Sequence, residues 1–265
     1  MAIAGGRSAI AALLFLVIMK RPTFKFTPSF IGGVLMYAAT VTLFVSSTKM
    51  TTAASAILLQ YTAPIYVAIF GRWILKERAN LLDWITILFV LGGMGLFFMD
   101  DLSGGSLAGN GLAILSGVTF AFMIMFMRKE REDSPLAVVF WGNVLTALTS
   151  IPFMSGGLPS DQKSIVGLIL LGVFQIGLAY IFYARAIKHI NALEAVLIQV
   201  IEPLLNPVWV FLLIGEKPSF WSLIGGGIVL VSIVGRGVIS GLREKHRKIS
   251  IERTTNDLNK SLQAE

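Results

Sequence analysis

The stretch LEAVLIQVIEPLLNPVWVFLLIGE, residues 193–216, decides the fold. Between Glu194 and Glu216 its only charged side chain is Glu202, and the apolar run to which it belongs covers residues 191–214. A run of about 20 apolar residues crosses the hydrocarbon core of a bilayer as an α-helix, the structure that satisfies its own backbone there. We therefore predict that this stretch spans a membrane.

The composition of the whole chain agrees with that prediction. Of its 265 residues 55% are hydrophobic and 14% charged, and the mean hydropathy is +0.77, whereas a soluble domain carries about 25% charged residues. The net charge is +7, and the charged residues lie between the apolar runs and in the C-terminal tail. This distribution is typical of a chain oriented in a membrane, and it argues against nucleic-acid binding. The absence of cysteine excludes disulfides and thiolate chemistry.

Similar apolar runs recur along the chain and predict an all-α polytopic membrane protein of about nine transmembrane helices. The predicted spans lie near residues 4–19, 28–48, 52–74, 81–99, 107–127, 135–155, 164–186, 191–214 and 219–240. The first span resembles the apolar region of a signal peptide, but basic residues follow it at once where a cleavage site would need small ones. We therefore interpret it as a helix.

The basic residues predict the orientation of these spans, because cytoplasmic loops collect Lys and Arg. With the N-terminus outside, only Arg7, Lys49, Lys163 and Lys217 fall on the outer side, and the other Lys and Arg residues fall in inner loops or the C-terminal tail. We expect a multi-pass protein of the cell membrane whose C-terminus is cytoplasmic.

An internal repeat relates the two halves of the chain. Residues 33–77 align without a gap to residues 172–216, and the matched pairs include three types of residue that are rare in apolar runs: Gln60 and Gln199, Pro64 and Pro203, Glu77 and Glu216. Under the predicted orientation the matched spans run in opposite directions, as in inverted-repeat transporters. We predict a first repeat of four helices in residues 1–100, a second of five in residues 101–242, and a polar cytoplasmic tail in residues 243–265.

The paired stretches ASAILLQYTAPIYVAIFGRWILKE (54–77) and LEAVLIQVIEPLLNPVWVFLLIGE (193–216), with Arg7 and the AALLFLVIM that follows, resemble EamA-like transporters of the drug/metabolite transporter superfamily. The resemblance covers residues 1 to about 240. It implies ten helices and an internal N-terminus. The helix that matches residues 107–127 would therefore lie before Met1, so either the start has been placed too late or this is a shortened member.

Polar side chains within the spans are the candidate site, since each is costly in a bilayer unless it is paired or hydrated. Gln199, Glu202 and Asn206 are spaced to share one helical face. Glu202 then either binds a cation or proton, or is a structural carboxyl hydrogen-bonded beside Pro203. Pro64 and Pro203 are expected to break their helices near Gln60 and Gln199, which points to moving elements around a midplane site, or to simple packing bends.

Further residues are candidates for the same cavity on residue type alone: Trp141, Asn143, Gln175 and Tyr180. Tyr183 fits an interfacial aromatic belt better. Arg7 could attract an anionic group or extend to the surface, and the second is favoured. Glu77 and Glu216, beside Arg78 and Lys217, are expected to form a salt-bridged gate or cap.

The sequence favours a secondary transporter that exports a small metabolite or amphiphile by alternating access. The alternatives are a non-transporting membrane scaffold, an inactive truncated transporter and, least favoured, an intramembrane enzyme. Catalytic and nucleotide-binding motifs are absent, and the two histidines, His189 and His246, fall in cytoplasmic segments, so we expect no cofactor and no metal. We expect a small-molecule substrate, a lipid environment and, from the GxxxG of Gly237 and Gly241, a homodimer as one option.

Overall fold

The computed structural model describes residues 1–102, 105–153, 161–215 and 218–263, with side chains up to residue 242 except at 210, 213 and 214. Within these residues the regular structure is entirely helical. The α-helices are α1 Ala2–Met19, α2 Pro28–Ser47, α3 Ala53–Gln60, α4 Ala63–Ile74, α5 Leu81–Phe97, α6 Leu107–Lys129, α7 Pro135–Ser150, α8 Gln162–Leu170, α9 Ala179–Ala186, α10 Ala192–Gln199, α11 Ile201–Ile214 and α12 Phe220–Gln263. Short 3₁₀ turns follow α5 and α7, and a π-helix, Leu171–Leu178, joins α8 to α9.

Many of these helices begin where a polar side chain accepts a backbone N–H of the first turn, just outside an apolar run. Asn80 and Asp83 form a reciprocal capping box at the start of α5. Asp161 caps α8, and its hydrogen bonds with Ser164 lower the pKa of the Asp161 carboxyl. The other side-chain caps belong to Thr27, Thr52, Ser106, Ser134 and Asn191. These caps satisfy backbone donors that the rest of the helix cannot reach.

The surface of the helices is that of a membrane protein. Large apolar side chains are turned outward, such as Val17 (74% exposed), Leu88 (70%) and Val231 (73%). Among the described residues, eight helical segments are long and apolar enough to cross a bilayer, and α5, of 17 residues, is apolar but shorter. The predicted class, an all-α polytopic membrane protein, is confirmed, whereas the count of nine and the inverted repeats stay predictions.

Glycines set how closely the helices pack. α2 packs along α6 and α7, α1 along α7 and the π-helix, and α5 along α12. A Cβ added at Gly93 would lie 2.9 Å from the Gly225 carbonyl oxygen, so α5 and α12 meet backbone to backbone. Gly237 and Gly241, in contrast, have nothing within 4 Å, so the GxxxG stripe makes no contact in the described chain.

Two predicted spans are each split in two. Residues 52–74 form α3 and α4, and residues 191–214 form α10 and α11. The two short helices end at Gln60 and Gln199, 139 positions apart, four residues before Pro64 and Pro203. Because proline has no N–H, it cannot bond the carbonyl four residues earlier, and the helix is interrupted there.

The C-terminal segment is helical up to Gln263. α12 continues as one helix from Phe220 to Gln263, through the polar tail that we predicted from residue 243. The tail is rich in Lys, Arg and Glu, which are good helix formers, and the preceding apolar helix provides the nucleus that a short isolated helix lacks.

Candidate functional site

A cavity of about 610 Å³ lies between the two halves of the chain. Its walls come from α1, α2, α3, α6, the π-helix, α9, α10 and α11, so both predicted repeats contribute. The volume is within the range of small-molecule sites, which is about 300–1,000 Å³. Its polar lining consists of Arg7, Tyr37, Thr40, Gln60, Tyr61, Gln175, Tyr180, Tyr183, Gln199 and Glu202.

Two opposite charges line this cavity without pairing. The Arg7 Nη1 donates to the Gln175 Oε1 at 3.1 Å, so the π-helix holds the guanidinium in place. Arg7 Nε is buried and has no partner in the described structure. Glu202, at the start of α11, is exposed to the cavity, and it is not among the ion pairs that the described residues form. The lining of the cavity therefore carries one cationic and one anionic side chain.

Aromatic rings line the wall of the cavity. The ring centroids of Tyr37 and Tyr180 are 5.5 Å apart, and those of Tyr180 and Tyr183 are 6.0 Å apart. The Asn143 Nδ2 donates to the Tyr37 hydroxyl at 2.9 Å from behind the wall and so fixes that ring. The Tyr183 hydroxyl is buried and has no partner in the described structure.

The two helix breaks meet at the cavity. The Tyr61 hydroxyl, in the first break, donates at 3.1 Å to the Gln199 carbonyl oxygen, which Pro203 leaves free. The Gln60 Nε2 donates to the Ser116 Oγ of α6 at 2.7 Å. Gly117 of α6 lets the two backbones approach, because a Cβ there would lie 2.7 Å from the Gln60 carbonyl oxygen. The hydroxyl of the first break thus satisfies a backbone carbonyl that the second break leaves without its helical donor.

The structure brings together only part of the predicted site. Five of the predicted residues line the cavity: Gln60, Gln175, Tyr180, Gln199 and Glu202. Asn143 lies behind Tyr37, and the Trp141 indole N–H donates to the Thr23 carbonyl at 3.2 Å, away from the cavity. Their roles in binding stay predictions.

Asn206 lies in a different place from the other two members of the predicted polar stripe. It lines a separate cavity of about 430 Å³, together with Pro203 and Ser222. The stripe assumed an unbroken helix from Gln199, but the helix is interrupted at Val200.

Several cavity residues had no clear signal in the sequence. Tyr37 and Tyr61 look like ordinary aromatic residues of an apolar span, and Tyr183 was assigned to an interfacial belt. Arg7 was expected to extend to the surface, whereas the structure turns it to Gln175, which is 168 positions away in the chain. Such a partner is visible only once the fold is known.

A second polar cluster lies at the end of the bundle that the charge distribution predicts to be cytoplasmic. The Glu77 Oε1 accepts from the Arg128 Nε at 3.1 Å, and the Glu77 Oε2 accepts from the Ala192 N–H at 2.9 Å. The Arg128 Nη1 donates to the carbonyls of Ile187 and Lys188 at 2.7 and 2.9 Å. The partner of Glu77 is thus Arg128. Glu216 and Lys217 lie outside the described residues. We call Glu77, Arg128, Ile187, Lys188 and Ala192 the Glu77–Arg128 cluster.

A buried ion pair lies nearby and links α5 to α12. The Arg236 Nε donates to the Asp83 Oδ1 at 2.7 Å, and both side chains are only 6% exposed. Glu194 of α10 is within 3.4 Å of the same guanidinium. Both clusters therefore join elements from the first and the second half of the chain.

The fold and the cavity together define a polytopic α-helical membrane protein with a solute-sized site between its halves. The EamA-like transporter family matches residues 1–99 and 107–236, so the chain belongs to that family and is a transporter, not an enzyme. Its multi-pass membrane nature follows from the same match and from its apolar helices.

Individual relatives are distant. The uncharacterized transporter YdfC of Bacillus subtilis is 26% identical over 231 residues, which cover 84% of this chain and 76% of YdfC. The pseudopaline exporter CntI of Pseudomonas aeruginosa is 23% identical over 86% of this chain and 82% of CntI. The mouse solute carrier family 35 member G1 is 24% identical over 78% of this chain and 60% of the carrier. One crystal structure of a protein superposes with a TM-score of 0.75 at 17% identity, covering 92% of this chain and 88% of that chain, which supports the fold.

Proposed function

We propose that this chain is a secondary transporter that exports a small metabolite or amphiphile across the cell membrane by alternating access. The observation that carries the proposal is the cavity of about 610 Å³, whose walls come from both halves and which lies where the two helix breaks meet. Helices broken at matching positions of two repeats are typical of transporter sites at the membrane midplane.

The arrangement of cavities favours a path toward the outer side. A cavity of about 480 Å³ shares Arg7 and Phe44 with the central one and reaches Lys49, which the charge distribution predicts to lie outside. At the opposite end the Glu77–Arg128 cluster ties the segment after α4 to the segment between α9 and α10. We infer that the described conformation is closed at the cytoplasmic end by this cluster.

Orientation and assembly complete the proposal. The N-terminus lies outside and the C-terminus inside. The matched broken spans then run in opposite directions, so the two repeats, of four and five helices, are inverted. A Cβ added at Gly237 or Gly241 would have no neighbour within 4 Å in the described structure, so this face of α12 is open to packing by a second copy of the chain. The export direction is supported by the name of the relative CntI alone.

A flux assay with purified protein tests transport. Proteoliposomes are challenged with radiolabelled amino acids, small organic acids and the amphiphilic cation ethidium, and uptake is compared with protein-free liposomes. We expect at least one compound to show saturable uptake. The rate should be equal for the wild type and for Glu132→Gln, whose side chain is 86% exposed in a surface pair with Arg131. Uptake no faster than in protein-free liposomes for the whole panel would contradict the proposal.

Proton coupling through Glu202 is a separate part of the proposal. Glu202 is a carboxyl that lines the central cavity, where a proton or a cation could bind it. Glu202→Gln removes the titratable group and keeps its size, so the pH dependence of uptake should flatten. An unchanged pH profile in this variant would remove the proton role and leave the transport proposal intact.

A further inference from the structure

We propose that the π-helix Leu171–Leu178 is a conformational switch, which becomes α-helical when the cytoplasmic end of the transporter opens. The inference rests on the proposed function, because it names the segment whose backbone differs between the two states of alternating access. It is carried by a difference between two helices that the repeat aligns, one α-helical throughout and one interrupted by the π-helix.

The aligned helices have two backbone geometries. The repeat matches residues 172–178 of the π-helix with residues 33–39 of α2. α2 is α-helical over its whole length. In the second half, the Ala179 N–H that follows the π-helix bonds the Phe174 carbonyl, five residues earlier, where an α-helix would use the carbonyl four residues earlier. The same part of the fold is therefore seen in two forms.

The surroundings of the two helices do not account for this difference. A Cβ added at Gly172 would lie 2.7 Å from the Ile10 Cβ of α1. A Cβ added at the aligned Gly33 would lie 2.7 Å from the Val138 Cγ1 of α7. Each helix thus packs equally closely, at the same glycine, on a helix of the opposite half. The sequence has no proline in residues 160–202 that would force an interruption, so the π-helix reflects the conformation of the protein.

The geometry of each helix goes with the side of the membrane toward which it ends. α2 ends at Ser47, on the outer side, where a cavity leads from the centre toward Lys49. α9 ends at Ala186, beside the two carbonyls that Arg128 holds at the closed cytoplasmic end. The continuous α-helix thus belongs to the open end and the π-helix to the closed end. Because a two-fold axis in the membrane plane exchanges inside and outside, the two helices should exchange geometries when the cytoplasmic end opens.

This exchange turns one part of the span relative to the other. A ring closed by a π-helical bond holds one residue more than an α-helical ring, and one residue corresponds to about 100° of an α-helix. α8 can take up this turn, because Leu168 is its only buried residue, whereas the Tyr180 ring holds α9 against Tyr37. A chain that lacks the additional residue would be α-helical in the closed state already and could not turn further.

Deletion of Phe174 tests this role. The Phe174 side chain is 58% exposed, so its loss leaves the core intact, and the shortened segment should be α-helical with α8 and α9 in place. The matched control is deletion of Leu35, which the repeat aligns with Phe174 and which is 50% exposed in α2. The control turns one end of an α-helix by about 100° and should lower the thermal unfolding midpoint in detergent by about 6–12 °C, whereas deletion of Phe174 should change it by less than about 2 °C.

Labelling of Ala186→Cys tests the switch itself. Ala186 lines the central cavity, and an impermeant maleimide is added to right-side-out or inside-out vesicles. Deletion of Phe174 should slow labelling from the cytoplasmic side about tenfold or more, both in the otherwise unchanged chain and in Glu77→Gln, and should leave labelling from the outer side unchanged.

Two results would overturn the proposal. One is labelling from the cytoplasmic side that is as fast without Phe174 as with it, and the other is a loss of stability equal to that of the Leu35 deletion. Failure of the proposed function has a different signature, because the full-length chain would then be labelled from one side of the membrane only, with and without Glu77→Gln.

Discussion

Glu77→Gln should release the cytoplasmic end of the transporter. The substitution keeps the size of the side chain and its ability to accept from the Ala192 N–H, but it removes the negative charge opposite Arg128. Arg128 keeps its bonds to two backbone carbonyls, so the bundle should still fold. The variant therefore weakens the Glu77–Arg128 cluster without deleting it.

The size of the effect follows from the burial of the pair. A hydrogen bond to a charged group contributes about 1.5–3 kcal/mol, and each 1.4 kcal/mol is a tenfold change in an equilibrium. The Arg128 side chain is 10% exposed and that of Glu77 is 28% exposed, so we expect the lower end of that range. The population open at the cytoplasmic end should rise about tenfold.

A cysteine at Ala186 reports this opening. Ala186 lines the cavity one residue before Ile187, whose carbonyl Arg128 holds, and the chain has no cysteine of its own to interfere. The rate at which an impermeant maleimide added from the cytoplasmic side labels Ala186→Cys should rise about tenfold in the Glu77→Gln background.

Two further variants make the result decisive. Glu132→Gln removes the same charge from a pair whose carboxylate is 86% exposed, and it should leave the labelling rate unchanged. Ala192→Pro removes the N–H that Glu77 accepts, at a first helical position where proline is tolerated, and it should act in the same direction as Glu77→Gln. Equal rates in the wild type, Glu77→Gln and Ala192→Pro would refute the assignment of this cluster as a cytoplasmic closure.

Three further predictions concern the scaffold and are checked by thermal unfolding in detergent. Gly225→Ala should destabilise the chain by roughly 1–3 kcal/mol, because the added Cβ would meet backbone atoms of α5. The control Gly227→Ala has nothing within 4 Å of the added Cβ and should be neutral or slightly stabilising, so equal unfolding midpoints would contradict the close packing. Tyr61→Phe should cost about 1–3 kcal/mol because the Gln199 carbonyl loses its donor, and no loss would mean that this bond is not formed. Lys76→Gly should stabilise by about 1 kcal/mol because Lys76 has a φ of 61°, and a lower midpoint would rule out that strain.

The sequence predicted the spans because the hydrocarbon core imposes length and composition on each helix separately. It also placed the breaks, since Pro64 and Pro203 act on carbonyls only four residues away. The two halves also resemble each other just after the broken spans. Lys76 and Gly215, which the repeat aligns, both have a left-handed backbone.

The contacts of the candidate site could not be predicted in the same way. The Tyr61 hydroxyl bonds a carbonyl 138 positions away, and Arg128 bonds Glu77 across 51 positions. Such partners depend on how helices pack, which no local pattern encodes. The placement of Asn206 failed to follow the predicted stripe because helical spacing applies only while the helix is continuous, and this helix is interrupted at Val200.

Access to a single cavity residue from both sides of the membrane tests the central claim most directly. Ala179 lines the central cavity, and Ala179→Cys would be the only cysteine in the chain. Right-side-out and inside-out vesicles are each treated with an impermeant maleimide. Alternating access predicts that this one cysteine is labelled in both preparations, faster from the inside when Glu77→Gln is added. Labelling from one side alone, in the wild type and in Glu77→Gln alike, would contradict the account.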